Sequence, residues 1–417
     1  MSELQSPLAL FKAYGIEIEY MVVDKQRLSV LPITDQILKK VAGDYVNEVE
    51  QGAIAWSNEL VLHVIELKTN GPAPTLSGLP VKFLNNVAII NSIIEEFDGQ
   101  LMPTAMHPWM NPDKEGRLWT HDSSEIYDAY DKIFDCRGHG WSNLQSCHLN
   151  LPFADEQEFI LLHDAIRLLM PIMPALTASS PIMNGRLTGL MDTRLEVYRH
   201  NADRIPIITG LVVPEKISSN DEYQSRILQP MYAAIEPYDP AGILRHEWLN
   251  SRGAITRFDR NAIEIRILDT QETPLADLAI AAMISNVLKD LIDDHWSNCW
   301  RHARIATESL ARILLDTIKS AELAVIEDED YLELFEFPDD TCEARELWLH
   351  LAESGKLDII GRTSEYKQTI DFILTQGSLA RRIARAVRSD ERTARLDETY
   401  RALCSCLGNG GLFDGID

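Results

Sequence analysis

Basic residues are in short supply in this chain. Its 39 lysines and arginines stand against 64 aspartates and glutamates, a formal net charge of −25. Nucleic acid and anionic membrane surfaces both select basic faces, so neither is an expected partner. Cysteine is also scarce: Cys136, Cys147, Cys299, Cys342, Cys404 and Cys406 are scattered, with no C-x-x-C pair. Reduced thiols in a cytoplasmic protein are the expectation. No apolar run reaches the roughly 18 residues of a membrane span, and Met1 to Leu10 lacks the basic start and apolar centre of a signal peptide. There is no G-x-x-x-x-G-K-[ST], so any nucleotide is not held by a P-loop. His246-Glu247-Trp248-Leu249-Asn250 departs from the zinc-binding H-E-x-x-H pattern at its last position.

What is present is a strand design used three times. Gly15-Ile16-Glu17-Ile18-Glu19-Tyr20 alternates apolar and acidic residues. As a strand it puts Glu17 and Glu19 on one face and Ile16, Ile18 and Tyr20 on the other. Two like charges side by side repel, and a cation would turn that repulsion into attraction. Ser146 to Leu151 repeats the logic, with His148 and Asn150 on one face and Leu149 and Leu151 on the other. Thr256 to Thr270 repeats it again, with Glu264 and Arg266 opposite Ile263, Ile265 and Ile267. Ala53 to Thr69 is also strand-like and carries Glu59 and Glu66. Their odd separation puts them on opposite faces of one straight strand, so both reach one pocket only across a turn or bulge.

The connecting segments read more simply. Leu79 to Phe97 has apolar residues at helical spacing. Leu101 to Glu115 is broken by three prolines, and His107 and His121 there and nearby read as structural. Asp155, with Glu158 three positions on, caps a helix, and Thr273-Pro274 starts another over Leu275 to Leu291. The Gly/Ser/Thr-rich stretch from Ser179 to Gly189 leads to Arg194 and could offer N–H groups and a cation to an anion. From Trp296 the signals are helical: Arg301 to Lys319, Glu343 to Glu353, and Ser378 to Val387. The last is basic (Arg381, Arg382, Arg385, Arg388) and reads as a solvated or partner-facing surface.

Collected on one face, Glu17, Glu19, Glu59, Glu66, His148 and Glu264 form an oxygen-rich donor set suited to Mg²⁺ or Mn²⁺. Five carboxylates exceed the needs of one ion, and paired ions serve phosphoryl chemistry, with Arg266 placed to take up transition-state charge. A two-metal phosphoesterase fits these residues, and so does a non-catalytic protein that binds an amino acid or metal.

Five segments taken in order go further. Gly15-Ile-Glu-Ile-Glu19, Glu66-Leu-Lys-Thr69, Ser146-Cys-His-Leu-Asn-Leu151, Ala178 to Gly189 with Arg194, and Ala262-Ile-Glu-Ile-Arg-Ile-Leu-Asp-Thr-Gln271 resemble the type 2 glutamate–cysteine ligases and related carboxylate–amine ligases. The resemblance implies an α+β fold of the glutamine synthetase superfamily: a curved antiparallel sheet of about six strands with helices packed outside. Residues 1–295 would form the ATP- and metal-binding catalytic core, and 296–417 a mainly helical region packed on it. Glu19, Glu59 and Glu66 would hold one Mg²⁺, and Glu17, His148 and Glu264 a second. Glu264 and Arg266 would be catalytic, and Arg194, Asn150 and Thr188 would bind substrate. The implied reaction uses ATP to phosphorylate a carboxylate such as the γ-carboxylate of glutamate, which a small amine such as cysteine then attacks. A homo-oligomer is compatible with the family. Many bacterial relatives read His-x-His where this chain has His148-Leu149-Asn150, so Asn150 would meet substrate differently.

Overall fold

The computed structural model describes residues 7–296, 305–356, 364–388 and 393–416. The sheet strands are β1 (Gly15–Asp24), β2 (Glu48–Gln51), β3 (Ile54–Asn58), β4 (Val64–Thr69), β5 (Gly99–Met102) and β6 (Ser146–Pro152). A separate two-stranded ribbon, β7 (Ile182–Met183) and β8 (Arg186–Leu187), precedes β9 (Ala254–Arg257) and β10 (Ala262–Asp269). Eight strands pair antiparallel in the order β2-β3-β4-β1-β6-β10-β9, with β5 beside the far half of β1. The expected count of about six falls short because β2 and β5 have four residues each, too few for a legible alternation.

The period of two holds in all three designed strands. Ile16, Ile18 and Tyr20 on β1, Leu149 and Leu151 on β6, and Ile263 and Ile265 on β10 are wholly buried in one apolar cluster. Helices Leu79–Ile94, Glu156–Leu169 and Pro274–Ile292 contribute Phe83, Leu162 and Ile284 to the same cluster. Burying each such side chain stabilises by about 1.5–3 kcal/mol. Trp56 of β3 adds a polar link to this layer, its indole N–H donating to Asn86 Oδ1 at 2.8 Å.

Ala53 to Thr69 is not one strand. It is the hairpin β3–β4, with Ser57 opposite Glu66 and Glu59 in the connection. The turn removes the parity problem that a straight strand would pose. On β10 the pairing with β6 shifts register between Ile265 and Leu268, so Asp269 comes opposite Ser146. The irregularity breaks the alternation and brings an odd-numbered residue to the face of Glu264.

The cap at Asp155 and the proline start hold, whereas the reciprocal capping-box bond does not form: the Glu158 carboxylate accepts the Ala154 N–H at 2.7 Å and the Leu10 N–H at 3.1 Å in place of the Asp155 N–H. Asp155 accepts the Glu158 N–H at 2.9 Å, and Pro274 is the first residue of its helix. Helices Thr307–Ser320, Ala344–Ser354 and Leu379–Arg388 answer to the three expected in the C-terminal part, and Ser364–Gln376 and Thr393–Asn409 join them. Residues 301–304 of the first expected helix lie outside the described residues. The apolar cluster crosses residue 296: Leu278 and Ile284 share it with Leu310 and Ile373. The basic helix is a fastening rather than a solvated face at two of its arginines. Arg382 and Glu272 pair at 2.5 Å with neither side chain exposed, and Arg381 pairs with Glu322 at 2.6 Å.

The five described cysteines are free thiols, and Cys299 lies outside the described residues. Among the described residues no helix is long and apolar enough to cross a membrane. His107 is structural: buried, with Nε2 2.6 Å from the Leu28 carbonyl oxygen. His121 pairs with Asp35 at 3.0 Å.

His163 gives a test of the core. It packs against Phe159 and Tyr223, each ring centroid 5.8 Å away, and among the described residues neither ring nitrogen has a hydrogen-bond partner. Burial, aided by nearby Arg167, lowers its pKa from 6.5 to about 3. Below pH 6.5 the unfolded chain therefore binds a proton that the folded chain refuses, and stability falls with pH until about 3. His163→Phe keeps the packing and removes that loss. Urea unfolding should show the variant losing about 1.4 kcal/mol less than wild type between pH ~7.5 and ~5.5.

Candidate active site

The polar sides of β1, β4, β6 and β10 line a cavity of about 560 Å³. β1 supplies Glu17 and Glu19, β6 supplies Ser146 and His148, β4 supplies Glu66 and Lys68, and β10 supplies Glu264 and Arg266. Glu59 enters from the β3–β4 connection. Register does the gathering: Glu17 faces His148, Glu19 faces Glu66, and Glu264 faces Asn150 on neighbouring strands. Gly15 faces Asn150, and a Cβ at Gly15 would meet the Asn150 Cβ at 2.9 Å. Glycine there leaves room for the Asn150 amide to donate to Glu17 Oε1 at 3.1 Å.

The residues fall into two groups. Glu17, His148 and Glu264 offer ligand atoms that all lie within 4.8 Å of one another. His148 Nδ1 is 3.0 Å from Glu17 Oε2 and 3.7 Å from Glu264 Oε1. Burial works against charge on this imidazole, but the hydrogen bond to Glu17 and the field of Glu264 outweigh it and raise its pKa to about 9. Burial likewise opposes charge on Glu264, yet Arg266, then His148, pull it down to about 2. Arg266 grips Glu264 Oε1 through Nε at 3.1 Å and a terminal nitrogen at 2.6 Å. A protonated imidazole thus sits where a cation would fit, and a metal binding there must displace its proton.

The second group, Glu19, Glu59 and Glu66, is looser and does not close to the same 4.8 Å. Glu19 accepts the Ser146 N–H at 2.9 Å, and Glu66 accepts the Ser57 hydroxyl at 2.8 Å and faces Lys68 Nζ at 3.3 Å. Even so, burial raises all three carboxyls, Glu66 to about 7. Glu59 is pushed furthest above the carboxylate range, by burial first and then by Glu19 and Glu66. Oxygen donors short of positive charge are what a hard divalent cation satisfies, so this donor set fits Mg²⁺ or Mn²⁺.

The expected substrate residues are placed unevenly. Arg194 lines the cavity and is nearly fully buried; its Nε bonds Asp269 Oδ1 at 2.5 Å. Asn150 lines an adjoining chamber of about 430 Å³. Thr188 is on neither wall, and its hydroxyl meets Thr193 Oγ1 at 2.7 Å. The loop from Ser179 spends its donors internally: the Ser179 N–H and the Ser180 hydroxyl each reach Asp269 Oδ2 at 2.8 Å. Lys68, Ser146, Arg257 and Asp269 were not singled out from sequence. The first two carried a signal, standing two positions from Glu66 and His148 and so on the same face. Asp269 carried none, because its placement depends on the irregularity in β10.

Comparison with known proteins gives a consistent picture. The profile of glutamate–cysteine ligase family 2 (GCS2) matches residues 13–400. An uncharacterized protein of Archaeoglobus fulgidus is 34% identical over 367 residues, covering 86% of this chain and 98% of that one. A protein of Ruegeria pomeroyi, provisionally named glutamate–cysteine ligase 2, is 27% identical over 69% of this chain and 68% of its own length. The crystal structure of glutamate–cysteine ligase from Francisella tularensis in complex with AMP superposes with a TM-score of 0.61 at 14% identity, covering 97% of this chain and 90% of that one. At that identity the likeness is one of fold.

Replacing Glu59 separates repulsion from cation binding. In chelator-treated protein near neutral pH, Glu59→Gln should melt at a higher temperature than wild type, because a carboxyl that must take up a proton to be buried beside Glu19 and Glu66 is replaced by a neutral amide. Adding Mg²⁺ or Mn²⁺ should then raise the melting temperature of wild type clearly more than that of the variant. A melting temperature lowered by the substitution without metal would contradict this account.

Proposed function

The chain belongs to glutamate–cysteine ligase family 2, and on that premise we propose that the cavity is the active site of an ATP-dependent carboxylate–amine ligase. The observation that carries the reading is Arg266, a guanidinium held on Glu264 beside the Glu17–His148 pair. It supplies positive charge in the middle of a carboxylate floor, where a transferred phosphoryl group would develop negative charge.

In the proposed reaction a carboxylate oxygen of a glutamate-like acid attacks the γ-phosphorus of ATP and the bond to ADP breaks. The nitrogen of a small amine then attacks the acyl carbon, phosphate leaves, and the amine gives up a proton. Glu17, His148 and Glu264 would hold one Mg²⁺ or Mn²⁺, and Glu19, Glu59 and Glu66 a second. When bound, these ions supply Lewis-acid polarisation and charge neutralisation for the phosphates. The remaining work belongs to side chains. Arg266 steadies the phosphoryl oxygens through a planar fork, and Glu264 fixes the plane of that fork. Arg194, oriented by Asp269, contributes a cation toward the acid substrate. Tyr127, Tyr130, Trp141 and Trp248 wall the same cavity, where they would limit water around an acyl phosphate.

ADP release in the presence of Mg²⁺, an acid and an amine tests the reading. Glu264→Ala and Glu17→Ala should lower turnover by at least about a thousandfold, with circular dichroism unchanged. Arg266→Lys should lose about a hundredfold or more, because a point-like ammonium cannot replace the fork. Near-normal turnover in any of the three removes that residue from the chemistry. A phosphoesterase built from the same carboxylates would release phosphate from esters with no requirement for ATP.

A further inference from the structure

Lys68, Arg194, Arg257, Arg260 and Arg266 are the lysines and arginines that line the cavity, and three of them come from a single hairpin. Arg266 stands on β10, Arg257 ends β9, and Arg260 lies in the turn between them. The other two are engaged: Lys68 with Glu48 and Glu66, Arg194 with Asp269. Register sets Arg257 opposite Ala262, two positions from Glu264 and so on the same face. Its Nη1 stops 3.8 Å from Glu264 Oε2, while Arg266 holds the other oxygen, Oε1, at 2.6 Å. One carboxylate thus stands between two guanidinium groups at the cavity wall.

The two arginines spend their nitrogens differently. Arg257 Nε donates to Asp259 Oδ1 at 3.2 Å and its Nη2 to Asp259 Oδ2 at 3.0 Å, a two-pronged grip that fixes the guanidinium plane. Among the described residues Nη1 makes no hydrogen bond. An arginine that only neutralised Glu264 would turn its fork to that carboxylate, as Arg266 does. The fork of Arg257 goes instead to Asp259, whose side chain is 55% exposed, and so exposed a pair adds little stability. What the grip achieves is orientation, with one charged nitrogen left over on the Glu264 side. A wall of carboxylates repels a polyphosphate except where such a group stands unspent.

The inference rests on the ligase reading, in which Arg266 meets the transferred phosphoryl group. We propose that Arg257 is a further catalytic residue of the same step, donating from Nη1 to the γ-phosphoryl oxygens on the other side of Glu264 from Arg266. As the acid's carboxylate oxygen bonds to the γ-phosphorus and the bond to the ADP oxygen breaks, charge spreads over three phosphoryl oxygens. Two guanidinium groups approaching from different strands reach more of those oxygens than one. Arg257 transfers no proton and stays charged throughout. Asp259 is its positioning residue.

The test uses the full chain with Mg²⁺ and reads binding apart from turnover. Calorimetric titration with AMP-PNP and with ADP compares two nucleotides that differ in the terminal phosphoryl group. Arg257→Ala should weaken AMP-PNP about tenfold or more and ADP by less than about twofold. In ADP-release assays it should lower kcat about a hundredfold, with KM for the acid within about twofold. Added guanidinium ion should restore part of the turnover lost by Arg257→Ala and none of that lost by Glu264→Ala. Asp259→Asn, at a half-exposed position, should melt like wild type and still lower kcat about fivefold, because the fork is no longer held; it decides the matter if Arg257→Ala does not fold. Equal losses for both nucleotides, or normal AMP-PNP affinity and turnover in these variants, would overturn the role of Arg257 and leave the ligase reading intact. A wild-type protein that binds neither nucleotide would overturn both.

Discussion

Glu19 and Glu66 sit directly opposite each other on adjacent strands, and Glu59 leans toward both. Like charges in that position destabilise a sheet, and burial makes the repulsion worse. Much of the site can be understood as the set of groups that make the arrangement tolerable. Ser146 gives Glu19 two donors, Ser57 and Lys68 attend Glu66, and Arg266 with a protonated His148 attends Glu264. Among the described residues Glu59 has no such cation, and its carboxyl is the most strongly raised of the group. A surface selected only for stability would not keep this pattern.

The stability that carries the strain comes from the opposite face. The same alternation that exposes Glu17 and Glu19 to the cavity sends Ile16, Ile18 and Tyr20 into a layer of helices. Helix Pro274–Ile292 begins five residues after Asp269 and is buried along nearly its whole length, so the strand bearing Glu264 and Arg266 runs almost directly into the core. The C-terminal helices reinforce this junction. Arg382 reaches Glu272, in the short link between β10 and that helix, and Tyr366 donates to the Leu76 carbonyl at 2.7 Å. A guanidinium buried with its carboxylate gives direction to the packing more than net stability.

Legibility in the sequence followed the reach of each interaction. Strand alternation, helix caps and the Thr273-Pro274 start depend on neighbours within a few residues, and β1, β6, β10 and the helix after β10 were all readable. The family resemblance, carried by short motifs of this kind, agrees with the profile match across residues 13–400. Glu59 and Glu66 posed an explicit difficulty of parity, which the hairpin turn resolves. Less legible were β2 and β5, too short to show a period, and the roles of Arg381 and Arg382. A run of arginines looks the same whether it faces water or a buried glutamate far away in the chain.

From composition and spacing alone came the acidic character, the faces on which Glu17, Glu19, His148, Glu264 and Arg266 stand, and the suitability of those residue types for a hard divalent cation. These are consequences of side-chain chemistry and of a backbone period of two. Tertiary structure decided which faces meet. Register put Glu17 opposite His148, a shift in β10 brought Asp269 to Arg194, and separate segments set Tyr130, Trp141 and Trp248 around one cavity. Such contacts join residues tens to hundreds of positions apart, and only the folded chain specifies distances of that kind.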